Sequence, residues 1–158
     1  MPHRITFEST QKRKGIESMT KKLIFVVDDD TILRNAIKRF LCSRGFEVKA
    51  LEDGFDVLLL CEYLHPDLII SDIRMPKLDG ITLLEGLRNR EATRDIPVIF
   101  MSAFGNDEIL DKARELGAEF FLLKPFQVSY LEEVIEHALT EEYIINQNNQ
   151  SYLLNQGG

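Results

Sequence analysis

The chain has 158 residues, 44% hydrophobic and 28% charged, with no tryptophan, as expected of one ordinary soluble globular domain with a sizeable core. Its net charge of −7 is uneven: residues 1–22 hold six basic and two acidic side chains, and the remainder thirteen basic and twenty-four acidic. So acidic a body disfavours nucleic-acid phosphate as its main ligand and suits a cation or a basic partner.

Cys42 and Cys61 lie far apart and His3, His65 and His137 are scattered, which argues against a zinc cluster or disulfide framework and for a reducing compartment. No apolar run approaches a membrane span and no secretory leader is apparent, so a cytoplasmic protein is expected.

Residues 1–20 are polar and basic without apolar periodicity, which predicts a disordered extension. Met19, just before the first strand, reads as a natural start, and a basic arm touching nucleic acid or membrane is the functional alternative. Residues 23–27 form a continuous apolar, β-branched run, the mark of a strand covered on both faces. Leu33, Ala36, Ile37, Phe40 and Leu41 then fall on one helical face closed by Gly45, with Asp30 and Thr31 placed to cap the helix start.

A second strand is predicted over 46–51, a second helix over 55–64 ending before Pro66, and a third strand over 68–71. Pro76 and Asp79-Gly80 interrupt regular structure before a helix over 81–88. A strand over 97–101, a helix over 107–116 stopped by Gly117, and a strand over 119–123 follow. Ser129-x-x-Glu132 reads as a capping box opening a last helix that buries Leu131, Val134, Ile135, Ala138 and Leu139. That helix is expected to run on toward Asn146, within a domain over 21–142, before an Asn/Gln-rich tail or linker over 143–158. The tail offers no second core and no DNA-binding helices.

Five strand–helix units with apolar strands make an α/β, doubly wound parallel sheet with helices on both faces and right-handed crossovers. In such sheets ligands gather at the carboxyl ends of the strands, where the connection order reverses. The first strand ends in Asp28-Asp29-Asp30, the third in Asp72, the fourth in Ser102-Ala103 and the fifth in Lys124-Pro125. Converging carboxylates need a compensating charge, and Mg²⁺ supplies one while leaving positions for phosphate oxygens. Lys124 adds a compact positive charge and Ser102 a donor. A carboxylate nucleophile, a metal, an ammonium and a hydroxyl are the parts needed to receive a phosphoryl group as an aspartyl phosphate.

Val26-Val27-Asp28-Asp29, Ser71-Asp72-x-x-Met75-Pro76-x-x-Asp79-Gly80, Met101-Ser102-Ala103 and Lys124-Pro125-Phe126, in that order, resemble the receiver domain of two-component response regulators. The match covers about residues 21–140. The resemblance implies a flavodoxin-like sheet of strand order 2-1-3-4-5 with five helices. It also implies a Mg²⁺-dependent switch that catalyses only its own phosphorylation and dephosphorylation. Asp72 would be the phosphoacceptor, Asp29 a direct Mg²⁺ ligand, Asp28 a ligand through water, and Arg74 a ligand through its backbone carbonyl. Ser102 would bond the phosphoryl group, and Lys124, ahead of a cis Lys124–Pro125 peptide, would bridge Asp72 or the phosphoryl. Phe121 matches an aromatic switch position, and its bland alternative is an ordinary edge aromatic. Arg74 would contact the phosphoryl or a partner, or else point into solvent. Phe104, two residues after Ser102, would exclude attacking water.

The expected partners are a histidine kinase or histidine phosphotransfer protein and a downstream target. The target would be met on the face of the helix after residue 107, the fifth strand and the last helix, by a monomer or a phosphorylation-dependent dimer. Direct contact with nucleic acid or membrane is not expected. Two other readings compete. Asp28-x-Asp30-Thr31 with Ser102 and Lys124 also mimics haloacid-dehalogenase phosphatases, in which the first aspartate is the nucleophile. That family needs a further acidic motif after its lysine, whereas Glu132 and Glu133 here fall on an exposed helix face, and the reading leaves Asp72 and Met75-Pro76 unexplained. The other is a docking module that never takes phosphate.

Overall fold

The structure, a computed structural model, describes residues 21–103 and 107–140. The predicted extension over 1–20, Phe104 and the chain beyond residue 140 lie outside the described residues. The elements alternate as β1 (Leu23–Val27), α1 (Thr31–Ser43), β2 (Glu47–Leu51), α2 (Gly54–Leu60), β3 (Leu68–Asp72), α3 (Gly80–Arg88), β4 (Val98–Ser102), α4 (Asp107–Glu115), β5 (Phe120–Leu123) and α5 (Val128–Ala138). All strand pairings are parallel, in the order β2-β1-β3-β4-β5.

Leu68–Asp72 and Val98–Ser102 are buried at every position, because helices cover both faces of the central strands. At the edge, Glu47 and Lys49 of β2 face solvent and only Val48 is buried. Alternation along a strand splits the interior into two layers. Phe25, Val27, Ile69 and Phe100 pack with α2, α3 and α4 through residues such as Val57, Leu84 and Ala113. Ile24, Val26, Ile70 and Ile99 pack with α1 and α5 through Ile37, Leu41, Leu131 and Ile135.

After β1 the chain steps outward to β2, then returns across β1 to β3, so the carboxyl ends of β1 and β3 flank the switch in direction. The register pairs Val27 with Ser71, which sets Asp28 beside Asp72. Three loops at this edge end in a capping aspartate. Asp30 accepts from the N–H groups of Ile32 and Leu33, Asp53 from that of Asp56, and Asp79 from that of Thr82. At the opposite edge the chain leaves α1 and α4 through Gly45 and Gly117, whose φ of 91° and 89° suit glycine.

Four local expectations change, the first being that the last helix does not run on toward residue 146 but ends at Ala138, with Leu139 as its C-cap. The second helix stops at Leu60, since residues 61–63 tighten into bonds such as Glu62 N–H to Leu59 O and Tyr63 N–H to Leu60 O. Ala36 is exposed; Arg34, Ile37 and Leu41 are the buried residues of α1. The capping box at Ser129 does not form. Gln127 is the cap, without a side-chain bond, and Ser129 already lies inside the first turn. Among the described residues no helix is long and apolar enough to cross a membrane.

Gly80 is fixed by space. A Cβ there would stand 2.8 Å from Asp72 O, 2.8 Å from Phe100 Cε1 and 2.9 Å from Ile73 Cα. Gly80→Ala must push backbone apart at the foot of the site, and a loss of about 3 kcal/mol in urea unfolding is expected.

Candidate functional site

Asp28 follows the last residue of β1 and is completely buried. A buried carboxylate is tolerable only when hydrogen-bonded and charge-compensated, and both of its oxygens are engaged. Oδ1 accepts from the Asp30 N–H at 2.9 Å, and Oδ2 accepts from Lys124 Nζ at 2.9 Å. Its main chain is held as well: the N–H donates to Leu51 O at 3.2 Å, and the carbonyl accepts from Arg34 Nη1 at 2.6 Å. Asp29, one residue on, faces solvent.

Asp72 ends β3 and is 8% exposed. Lys124 Nζ stands 3.6 Å from its Oδ1, farther than from Asp28. Burial raises the Asp72 pKa above the ordinary carboxylate range, the charges of Asp28 and Asp29 push the same way, and Lys124 and the Arg74 backbone N–H pull it down. Burial would depress the Lys124 pKa, but the hydrogen bond to Asp28 and the charges of Asp28 and Asp72 outweigh it and raise the pKa. One ammonium thus leaves the acidic edge undercompensated.

Ligand oxygens of Asp28, Asp29 and Asp72 all lie within 4.8 Å of one another. Hard carboxylate oxygens, two of the residues buried and one open to water, fit a small divalent cation that keeps part of its hydration shell. The burial and the neighbouring negative charges that disfavour ionised Asp72 are what such a cation would offset.

The loop after Asp72 is clamped. Ile73 and Met75 are buried, while the Arg74 side chain is exposed. The Gly80 N–H returns to Ile73 O at 2.9 Å, Lys77 Nζ pairs with Asp53 at 3.7 Å, and Leu78 packs where a Gly54 side chain would stand. At the end of β4, Ser102 is buried, and its carbonyl accepts from the Lys124 N–H at 2.8 Å. The Lys124–Pro125 peptide is cis. Phe121 is half-buried between the ring of Phe100, 6.2 Å away, and the guanidinium of Arg114, 5.2 Å from its centroid.

The structure therefore brings Asp28, Asp29, Asp72, Ser102 and Lys124 to one edge, with Phe121 on the neighbouring β5 surface. Sequence reasoning overlooked Arg34, Asp53 and Lys77. Arg34 was within reach, because residues 34, 37 and 41 fall on one helical face. The Lys77–Asp53 contact joins two loops and left no local signal.

Comparison with known proteins points the same way. Residues 24–136 match the family model described as "Response regulator receiver domain". The chain is 36% identical over 121 residues to "Probable transcriptional regulator ycf27" of Cyanophora paradoxa, covering 77% of this chain and 49% of that protein. It is also 36% identical over 137 residues to the DNA-binding dual master transcriptional regulator RpaA of Synechocystis, covering 85% and 56%. The chain thus spans about half the length of these relatives. Among solved structures, chemotaxis response regulator CheY4 of Vibrio cholerae has a TM-score of 0.71 at 26% identity, with coverage of 76% of this chain and 100% of that one. The receiver domain of sensor histidine kinase PA1611 of Pseudomonas aeruginosa, described with a magnesium ion coordinated in the active site cleft, has a TM-score of 0.70 at 26% identity and coverage of 76% and 98%.

Because the folded Asp72 pKa is raised, ionising this residue opposes folding, and its penalty grows as pH rises from the ordinary value of 3.8 through the folded pKa. Asp72→Asn is therefore expected to melt a few degrees above wild type at neutral pH in EDTA. The gain should fade as pH falls toward 3.8 in calorimetric scans.

Proposed function

Because the chain belongs to the response regulator receiver domain family of two-component systems, we propose that it accepts a phosphoryl group on Asp72 from a histidine kinase or histidine phosphotransfer protein, with Mg²⁺ bound. The carrying observation is the asymmetry between the two buried carboxylates. Asp28 has no exposed surface and both oxygens are engaged, whereas Asp72 is partly accessible and is met by the Arg74 backbone N–H and, at 3.6 Å, by Lys124.

In the proposed step an Asp72 oxygen attacks the phosphorus of a phosphohistidine. The phosphorus–nitrogen bond breaks, its electron pair returns to the imidazole, and the product is an acyl phosphate on Asp72. Bound Mg²⁺, held by Asp28, Asp29, Asp72 and the Arg74 carbonyl, would neutralise charge on the phosphoryl oxygens. Lys124 moves from its Asp28 pairing to hold the phosphoryl at a fixed angle, and the Ser102 hydroxyl donates to it. Burial around Asp72 limits water, which would otherwise hydrolyse the product.

Output is assigned to the α4–β5–α5 face. Leu123 and Tyr130 are exposed there, 59% and 50%, beside a concavity lined by Phe121, Pro125, Phe126 and Gln127. Phosphorylation would shift an existing two-state equilibrium through Ser102 and Phe121, so that a target or a second receiver binds this face. The domain acts in this reading as a cytoplasmic switch rather than an enzyme with an external substrate. The phosphatase alternative fares poorly, because its nucleophile would be the enclosed Asp28. Of the two acids on the helix after Lys124, Glu132 pairs with Arg44 beyond the far end of α1, at 3.2 Å, and Glu133 is exposed.

The test is intact mass after incubation with acetyl phosphate, with and without Mg²⁺. A Mg²⁺-dependent phosphoryl adduct absent from Asp72→Asn is expected. An adduct that survives Asp72→Asn and vanishes in Asp28→Asn would replace this reading with the phosphatase one. No adduct with acetyl phosphate or with a cognate kinase would leave a docking module.

A further inference from the structure

Arg34 is a charged residue of α1 with only 8% of its surface exposed, on the helix face otherwise built from Ile37 and Leu41. Burying a guanidinium is costly unless its N–H groups are used. The ion pair available to it is weak compensation: Glu52 Oε1 lies 3.6 Å from Nη2 and the Glu52 side chain is 75% exposed. The short contact is the other one, Nη1 to the carbonyl oxygen of Asp28 at 2.6 Å, a charge-assisted hydrogen bond. That carbonyl belongs to the peptide joining Asp28 to Asp29, the first two of the three acidic residues that follow β1.

Asp28 is fixed at its N–H, its carbonyl and both carboxylate oxygens. Asp29 is exposed and takes its direction from the peptide it shares with Asp28. Rotating this peptide would swing the Asp29 carboxylate away from the position where its ligand oxygen lies within 4.8 Å of those of Asp28 and Asp72.

We propose that Arg34 is a positioning residue that locks the Asp28–Asp29 peptide and thereby aims Asp29 at the cation. The inference rests on the cation site of the proposed function. It differs from a purely electrostatic role in sign: a guanidinium acting only through its charge repels a cation, so removing it would tighten binding. A positioning role predicts the reverse. Residues that orient ligands in this way are worth about 10–100-fold in metal affinity.

The experiment is titration of the full chain with Mn²⁺ followed by electron paramagnetic resonance, Mg²⁺ serving as competitor. Wild type, Arg34→Met, Arg34→Lys and Asp29→Asn are compared, with urea midpoints taken in EDTA. Arg34→Met is expected to weaken Mn²⁺ binding about 10–100-fold. Arg34→Lys, which keeps the charge and the apolar stem but not the planar fork, should weaken it by less, at an unchanged urea midpoint. If Arg34→Met does not fold, Arg34→Lys carries the test alone. Arg34 variants that bind Mn²⁺ as tightly as wild type or tighter, while Asp29→Asn loses it, would overturn the positioning role and leave the cation site standing. A wild type that binds no better than Asp29→Asn would overturn the cation site and the inference with it.

Discussion

Three carboxylates converge at the edge where the strand order reverses, and their mutual repulsion is the constraint around which this domain is built. At a few ångströms, in a partly desolvated setting, like charges repel by several kcal/mol. One ammonium, on Lys124, meets that repulsion directly, and it comes from a different strand and leans toward Asp28 rather than Asp72. The folded scaffold has to hold this uneven arrangement. The sheet does so by burying its central strands on both faces, so Asp28 and Asp72 cannot separate without breaking hydrogen-bonded ladders beneath them.

The loops at that edge extend the same economy. Asp30, Asp53 and Asp79 cap the helices that follow, and each also braces the site. The Asp30 N–H orients Asp28, Asp53 receives Lys77 from the loop after Asp72, and Asp79 precedes the glycine that lets this loop close on Phe100. A side chain that completes a helix end at the same time fixes where the neighbouring backbone runs. In this way local preferences of short segments add up to a preformed acidic edge.

Strand and helix identity was legible because the apolar runs are long and the periods clean: residues 23–27 read as a doubly covered strand, and residues 131, 134, 135 and 138 as one helix face. The residues at the strand ends followed from that alone, since parallel connectivity brings strand ends to one edge. What escaped were contacts between segments distant in sequence. Arg34 holding a carbonyl at the end of β1, and Lys77 reaching Asp53, depend on angles between elements that periodicity does not encode. Helix ends escaped for a different reason: Ser129 and Gln127 compete for one cap within two residues, and backbone direction decides between them.

The two-layer interior bears on how the domain resists opening. α4 is rooted in the layer with Phe100 and Ala113, α5 in the opposite layer with Leu122 and Leu131, and β5 lies between them at the rim of the sheet. Local opening of such a fold begins where few neighbours hold an element, and a rim strand with one pairing partner is such a place. Any molecule that grips α4 and α5 together staples the two layers across that rim. Occupancy of the face would then slow amide exchange and proteolysis in β5 and in both helices at once, so the durability of the folded chain becomes partly a property of its company.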